Sequence, residues 1–264
     1  MTSIGSARSR WIGKVLLWED YGIFFGNSGD ADLHESPAIK LCVSFGGEFY
    51  IRDGDSGKYT PLTACVIPAG TPHAINGGGV KMYMLLVAPE GELGQKLSGF
   101  SPQLGTQDLT KHYSVLCDSL SPIANTNEPV LLQRMLSDLV YLVGGISDSL
   151  PAEIDPRVAQ SIEWIRSGRE SGILIKDIAA EVDLSESRFS HLFSEHLRVP
   201  VRRYLLWLRL RDALHMLATA ENLTAAAHSA GFSDSAHLTR TFRSALGIAP
   251  SDLIRHSSVT SFLR

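Results

Sequence analysis

Ile178-Ala179-Ala180-Glu181-Val182-Asp183-Leu184-Ser185, followed by Glu186 to Leu197, recurs later in the chain. The second copy is Ala226-Ala227-His228-Ser229-Ala230-Gly231-Phe232-Ser233-Asp234, followed by Ser235 to Leu246. The leading segments align at an offset of 48 residues and the following ones at 49, so the second turn is one residue longer. Phe189 then matches Leu238, Phe193 matches Phe242 and Leu197 matches Leu246. Each copy reads as a helix, a short turn with a capping side chain, and a second helix that is apolar on one side only. Proteins enter the DNA major groove with this arrangement. Two copies imply a chain that reads two groove segments.

Within Glu186 to Leu197, residues Phe189, Leu192, Phe193 and Leu197 fall at i, i+3, i+4 and i+8, which makes one buried stripe. The opposite face presents Ser187, Ser190, His191 and Ser194, and Ser185 caps the start. The free N–H groups there suit a phosphate. In the second copy Leu238, Phe242, Ala245 and Leu246 form the stripe, and Asp234 caps. Its outer face holds Ala236, Thr239, Arg240 and Arg243. An arginine at such a position can bond guanine O6 and N7 together, while Thr239 and Ala236 offer methyl groups to a thymine. The competing reading is an ordinary solvated face. Equivalent positions in a repeat favour base contact for Arg240 and His191.

A long helix from Val201 to Leu217 separates the copies. Leu206, Leu210, Ala213, Leu214 and Leu217 lie at i, i+4, i+7, i+8 and i+11, one continuous apolar face. Such a helix would fix the two units, with recognition helices roughly 34 Å apart if both enter one face of B-DNA. Arg198, Arg202, Arg203 and Arg209 cluster near its start, either as phosphate contacts or as a solvated face.

The 264 residues suit two domains. No apolar run approaches the ~18 residues of a membrane span. The longest, Met82 to Ala88, stops at Pro89, and Lys14-Val15-Leu16-Leu17-Trp18 is too short for a signal peptide. A cytoplasmic protein without a membrane partner is expected. Cys42, Cys65 and Cys117 show no CxxC spacing and sit among apolar neighbours, so buried free thiols are expected. Up to Asp155 there are 10 basic and 17 acidic residues, a net charge of −7. The remainder has 14 basic and 11 acidic residues, a net charge of +3, and 13 of those basic residues are arginines, the residue suited to phosphates and guanine edges.

Residues 10–100 read as a β domain. The apolar runs Val15–Trp18, Ile39–Phe45, Phe49–Ile51, Ala64–Ile67 and Val80–Val87 alternate with turn signals such as Gly46-Gly47 and Gly77-Gly78-Gly79, a spacing that suits a small barrel or sandwich. Residues 101–155 are irregular apart from a helix over Glu128–Val143, closed by Gly144-Gly145, and a linker over Ser147–Pro156. That helix either lies against the β domain or pairs with its twin in a dimer. Residues 156–256 read as helical throughout.

The segment over about 156–255 resembles the AraC/XylS family of bacterial transcription regulators. The likeness rests on Ile178-Ala179, Ser185, Phe189, Phe193, Pro200, Tyr204-Leu205, Arg209-Leu210, Ala213 and Leu217. It continues through Ala227, Gly231-Phe232, Arg240-Thr241-Phe242, Gly247-Ile248-Ala249-Pro250 and Arg255. The resemblance implies two helix-turn-helix subdomains reading successive major grooves of double-stranded DNA. It also implies activation through contact with RNA polymerase, and a small-molecule effector bound by an N-terminal barrel. The chain departs from the family pattern at Arg198, where a glycine usually closes the first unit, and at Ala226, His237 and His191.

Residues in the first half resemble a cupin-like sensor barrel: Asp32-Leu33-His34-Glu35, Gly46-Gly47-Glu48, and Ile67-Pro68-Ala69-Gly70-Thr71-Pro72-His73-Ala74-Ile75-Asn76. The first metal motif is incomplete. A catalytic cupin needs three or four N/O ligands, and the chain offers His34 and His73 with Glu35 or Glu48 as thirds. The expectation is therefore no metal, no cofactor and no catalytic residue. His34 and His73 are either satisfied interior histidines or part of an effector site. The whole reads as a multidomain α and β protein: a cupin-like β-barrel, a joining segment, and an all-α DNA-binding half. Alternatives are a metal-dependent cupin enzyme with a DNA-binding tail and an effector-independent dimeric regulator.

Overall fold

The computed structural model describes residues 8–100, 102–126, 128–147, 153–168, 173–218 and 222–262. The first part is built from β1 (Ile12–Leu17), β2 (Tyr21–Asn27), β3 (Ala31–Glu35), β4 (Ile39–Phe45), β5 (Phe49–Asp53) and β6 (Thr60–Leu62). It continues with β7 (Ala64–Ile67), β8 (Pro72–Asn76), β9 (Lys81–Val87), a short α1 (Glu92–Lys96) and β10 (Gln107–Asp108). Then come α2 (Tyr113–Leu120) and α3 (Pro129–Gly144). The second part is α4 (Pro156–Ser167), α5 (Ile175–Glu181), α6 (Glu186–Leu197), α7 (Val201–Leu217), α8 (Leu223–Ser229), α9 (Ser235–Leu246) and α10 (Pro250–Ile254), ending in β11 (Ser257–Ser261). Among the described residues no helix is long and apolar enough to cross a membrane.

The strands form two sheets, the sandwich of the two architectures that turn spacing allows, rather than the closed barrel that the cupin-like resemblance implies. One sheet has the order β10-β7-β4-β9-β2-β1-β11 and the other β3-β8-β5-β6. The end strands of each sheet do not pair with each other, so the architecture is a sandwich. Turn spacing predicts short antiparallel strands but is blind to whether the outermost ones join. The sequence also gave no sign that β11, from the far end of the helical part, would lie parallel to β1, with Gly13 opposite Ser257 and Leu17 opposite Ser261.

β4 explains its own apolar run. Cys42 packs between the sheets with Phe49, Ile51 and Ile75. Leu41 and Val43 face the other way, into a core shared with Leu116, Leu132, Leu136, Leu139 and Val143. Covering helices α2 and α3 thus make both faces interior, and strict alternation disappears. Of the two readings for α3, the inner face does lie against the sheet, while Val130, Leu131, Tyr141 and Leu142 stay exposed. All three cysteines are free, with Cys42 and Cys65 buried and Cys117 half-buried. Half of the linker expected over Ser147–Pro156, residues 148–152, lies outside the described residues.

The two helix-turn-helix units are attached unequally. The first has its own core of Val158, Ile162, Ile178, Phe189, Phe193 and Tyr204. The second shares a core with the sandwich, Leu238, Phe242 and Ala245 joining Trp207, Leu214, Phe24 and Met84. α7 serves both and has no single apolar face. Leu210, Ala213 and Leu214 are buried as expected, but so are Tyr204 toward the first unit and Trp207, Arg211 and His215 toward the sandwich. Three neighbours surround it, which helical periodicity alone does not reveal.

Candidate nucleic-acid interface

The two recognition helices start and stop alike. Ser185 Oγ accepts from the Arg188 N–H at 3.3 Å and Asp234 Oδ1 from the His237 N–H at 2.6 Å, so both expected caps form. These bonds hold the Asp234 carboxyl below its usual range, the His237 N–H being the main cause. Each turn is closed by an equivalent backbone bond, Leu184 N to Ala179 O and Phe232 N to Ala227 O, both 2.9 Å. Left-handed residues also recur in register. Asp183 (φ 54°) takes the place of Gly231 (φ 75°), and Arg198 (φ 60°) that of Gly247 (φ 73°). The first unit thus keeps the glycine geometry with side chains that tolerate it less well.

On α6, Ser187 and His191 are exposed and Ser190 and Ser194 half-buried. Ser194 Oγ donates to Ser190 O at 2.8 Å, so that hydroxyl's proton is already used within the helix. On α9, Ala236, Arg240 and Arg243 are exposed and Thr239 is half-buried, its hydroxyl donating to Ser235 O at 2.7 Å. Both hydroxyls retain lone pairs for an incoming donor. His237 sits edge-on to Phe232 at 5.2 Å, supporting the turn in place of an aromatic ring. Phe189, Phe193, Leu238 and Phe242 are fully buried behind these faces.

Of the arginine cluster, Arg203 is engaged by Glu35 of β3, and Arg198 and Arg202 are exposed. Glu35 is thereby committed to an ion pair, away from any metal role. His34 and His73 stand opposite each other on β3 and β8, with ring centroids 4.2 Å apart. The Lys40 amino group lies between them, in contact with His34 Nε2 and 2.9 Å from His73 Nε2. A side chain of the protein itself thus occupies the position that a divalent ion would need. Among the described residues no group of three or more His, Cys, Asp or Glu side chains could hold a metal. The donor set does not fit a metal centre.

Sequence reasoning missed an apolar cavity at the junction of the two parts. It encloses about 100 Å³ between the sandwich and the helical part. Trp11, Val15, Phe24, Met84 and Lys40 line it from one side, and Trp207, Arg211, Leu214, Ile248 and Leu253 from the other. His34 and His73 do not line it directly but hold Lys40, which does. The available signal was a lysine in the middle of an apolar strand. Beside the cavity, Glu90 and Asp20 bind the helical part. Arg166 lies 2.5 Å from Asp20 and 3.2 Å from Glu90. Tyr204 donates to Glu90 at 2.9 Å, and Arg211 approaches Glu90 at 3.6 Å. Burial works against the Arg166 charge, yet the two carboxylates outweigh it and raise the guanidinium pKa. Burial and Glu90 push the Tyr204 phenol well up, so it remains a donor.

Residues 178–256 match the family model described as a helix-turn-helix domain. The arabinose operon regulatory protein of Escherichia coli (strain K12) is 30% identical over 130 residues, covering 48% of this chain and 42% of that protein. The raffinose operon transcriptional regulatory protein RafR of Pediococcus pentosaceus is 26% identical over 145 residues, 54% and 52% of the two chains. The chain spans about half the length of the relatives it matches. Among solved structures, apo ToxT from Vibrio cholerae aligns with TM-score 0.64 at 13% identity, over 90% of this chain and 97% of that one. ToxT bound to an unsaturated fatty acid aligns with TM-score 0.59 at 13% identity, over 90% and 94%. The chain therefore shares the whole two-part fold seen in ToxT, and residues 178–256 form a helix-turn-helix domain.

Proposed function

We propose that this protein is a sequence-specific, effector-responsive regulator of transcription that reads two successive major-groove segments of double-stranded DNA. The observation that carries this reading is the matched pair of capped recognition helices, each buried on one side and presenting polar residues on the other. Ser187, Ser190, His191 and Ser194 on α6, and Ala236, Thr239, Arg240 and Arg243 on α9, form the reading faces. Arg240 takes a guanine edge. The apolar cavity beside α7 is the effector site, and its occupancy biases how the second unit is held. His34 and His73 belong to this site through Lys40. The exposed side of α3 pairs with its twin to make a homodimer. The regulator works in the cytoplasm and contacts RNA polymerase; the names of its relatives as operon regulatory proteins support a role in transcription. It needs no cofactor and carries out no catalysis.

Selection of genomic fragments by the full-length protein at near-physiological salt tests this reading, because weak electrostatic binding is then suppressed. The expected result is a split motif with two blocks about 10 bp apart. Absence of any enriched motif, with and without small molecules that fill the cavity, would remove the DNA-reading function.

A further inference from the structure

Lys40 is wholly buried, and among the described residues no carboxylate forms an ion pair with it. Its two polar neighbours are His34 Nε2 and His73 Nε2. The other nitrogen of each ring is committed. His34 Nδ1 lies 2.7 Å from Asp32 O and His73 Nδ1 2.7 Å from Thr71 O. A carbonyl oxygen only accepts, so both Nδ1 atoms carry the hydrogen and both Nε2 atoms of the neutral rings are acceptors. Burial, reinforced by Lys40, takes the His34 pKa down to about 2 and holds His73 well below the usual histidine range.

Two acceptors suit a neutral amine better than an ammonium ion. An amine spends its two N–H bonds on the two rings and keeps a lone pair. An ammonium ion has a third N–H, for which the described residues give no acceptor. Burial acts in the same direction and lowers the Lys40 pKa to about 7. The side chain also lines the apolar cavity of about 100 Å³. A cavity of about 150 Å³ holds benzene, so this smaller space suits a carbonyl compound below that size, such as butanal. A desolvated lysine amine facing an apolar space is the nucleophile of Schiff-base chemistry.

We infer that Lys40 is a reversible covalent anchor for a small aldehyde or ketone that enters the cavity between the sandwich and α7. The inference rests on the reading of that cavity as the effector site. The Nζ lone pair attacks the carbonyl carbon, and the C=O π pair moves to oxygen. One N–H proton passes to that oxygen through an Nε2 atom, giving a carbinolamine. The hydroxyl then leaves as water with the second proton, and the nitrogen pair closes the C=N bond. Hydrolysis reverses each step, and no oxidant or reductant takes part. Imine formation removes N–H donors from the two rings. His34 is tied to the second reading unit, because the Asp32 carbonyl holds its Nδ1 while Asp32 N donates to Gly247 O at 2.9 Å.

The test uses the full chain with butanal as probe and cyanoborohydride to reduce any imine near pH 7. Peptide masses should place a butyl group on Lys40 ahead of the six other lysines, all of which reach solvent. The Lys40→Met variant should lose that label and keep the slower surface labelling. 1-Butanol, of the same size but without a carbonyl, is followed through the fluorescence of Trp11, Trp18 and Trp207, which line the cavity. Binding of 1-butanol without butanal labelling of Lys40 in the native chain overturns the imine and leaves the effector cavity standing. Failure of both overturns the imine and the cavity reading together.

Discussion

Lys40 and Arg240 are both basic side chains, and their surroundings give them opposite tasks. Burial lowers the folded Lys40 pKa from its ordinary value to about 7. Between about pH 7 and the unfolded value near 10.4, the unfolded chain therefore binds more protons than the native one, and stability rises with pH. His34, His73, Cys42 and Cys65 act on the groups of this cluster. Comparing native protein with Lys40→Met isolates the lysine. Urea unfolding should show the native chain gaining on the variant from pH 7 to pH 10, by several kcal/mol at most since one pKa step is worth about 1.4 kcal/mol. For His34, folded near pKa 2, the sign is the same. Its contribution is full above the unfolded value of about 6.5 and declines as the pH falls below it. Arg240 is exposed on α9, so Arg240→Ala should leave folding unchanged. It should weaken specific binding by about 1–3 kcal/mol and relax preference at one base pair. Equal losses on specific and random DNA would make it a phosphate contact instead.

At the scale of elements, the loop after α9 packs directly against β3, where Asp32 N donates to Gly247 O at 2.9 Å. Gly247 has φ +73°, and a Cβ there would lie 2.5 Å from both Asp32 O and His34 Nδ1. Gly54 has φ +65° with open space around it. Gly54→Ala should thus cost only the backbone term of about 1 kcal/mol. Gly247→Ala should cost about 1–3 kcal/mol more through overpacking. Urea midpoints of the two variants check the difference. The outer side of α3 exposes Leu131 and Leu142. Replacing both with Glu should convert a dimer to a monomer in light scattering, with the fold intact because neither residue faces the core. Sequence was a good guide where periodicity and capping act locally. α6, α7 and α9 have the expected bounds, and the runs at β4 and β7 match theirs. It missed β2, β3, β6 and β8, whose residues are too mixed to stand out, and β11, whose partner lies across the chain. For the candidate site, the solvent-facing sides of α6 and α9 were legible from the repeat. The cavity was not, since Trp207, Arg211 and Lys40 meet only after the two parts dock.

For the molecule as a whole, the two attachments differ in kind. The second unit is fused to the sandwich through a common apolar core, whereas the first is tied by Arg166 and α7 to Glu90 and Asp20. Glu90→Gln should therefore loosen the first unit selectively. The expected loss is about 2–3 kcal/mol, less than for a fully buried pair because Arg166 keeps Asp20 and is a quarter exposed. Amide exchange should quicken in α4 and α5 while α9 stays protected. The parallel pairing of β11 with β1 carries another consequence. Gly13 N reaches Ser257 Oγ across 244 positions of sequence. On a ribosome that emits the chain N-terminus first, β1 must wait with one edge bare until both helix-turn-helix units have emerged. The seven-stranded sheet is completed only when that distant segment arrives, so its assembly is slow in proportion to the separation. Nascent chains are then most exposed to edge-to-edge association before β11 docks on β1.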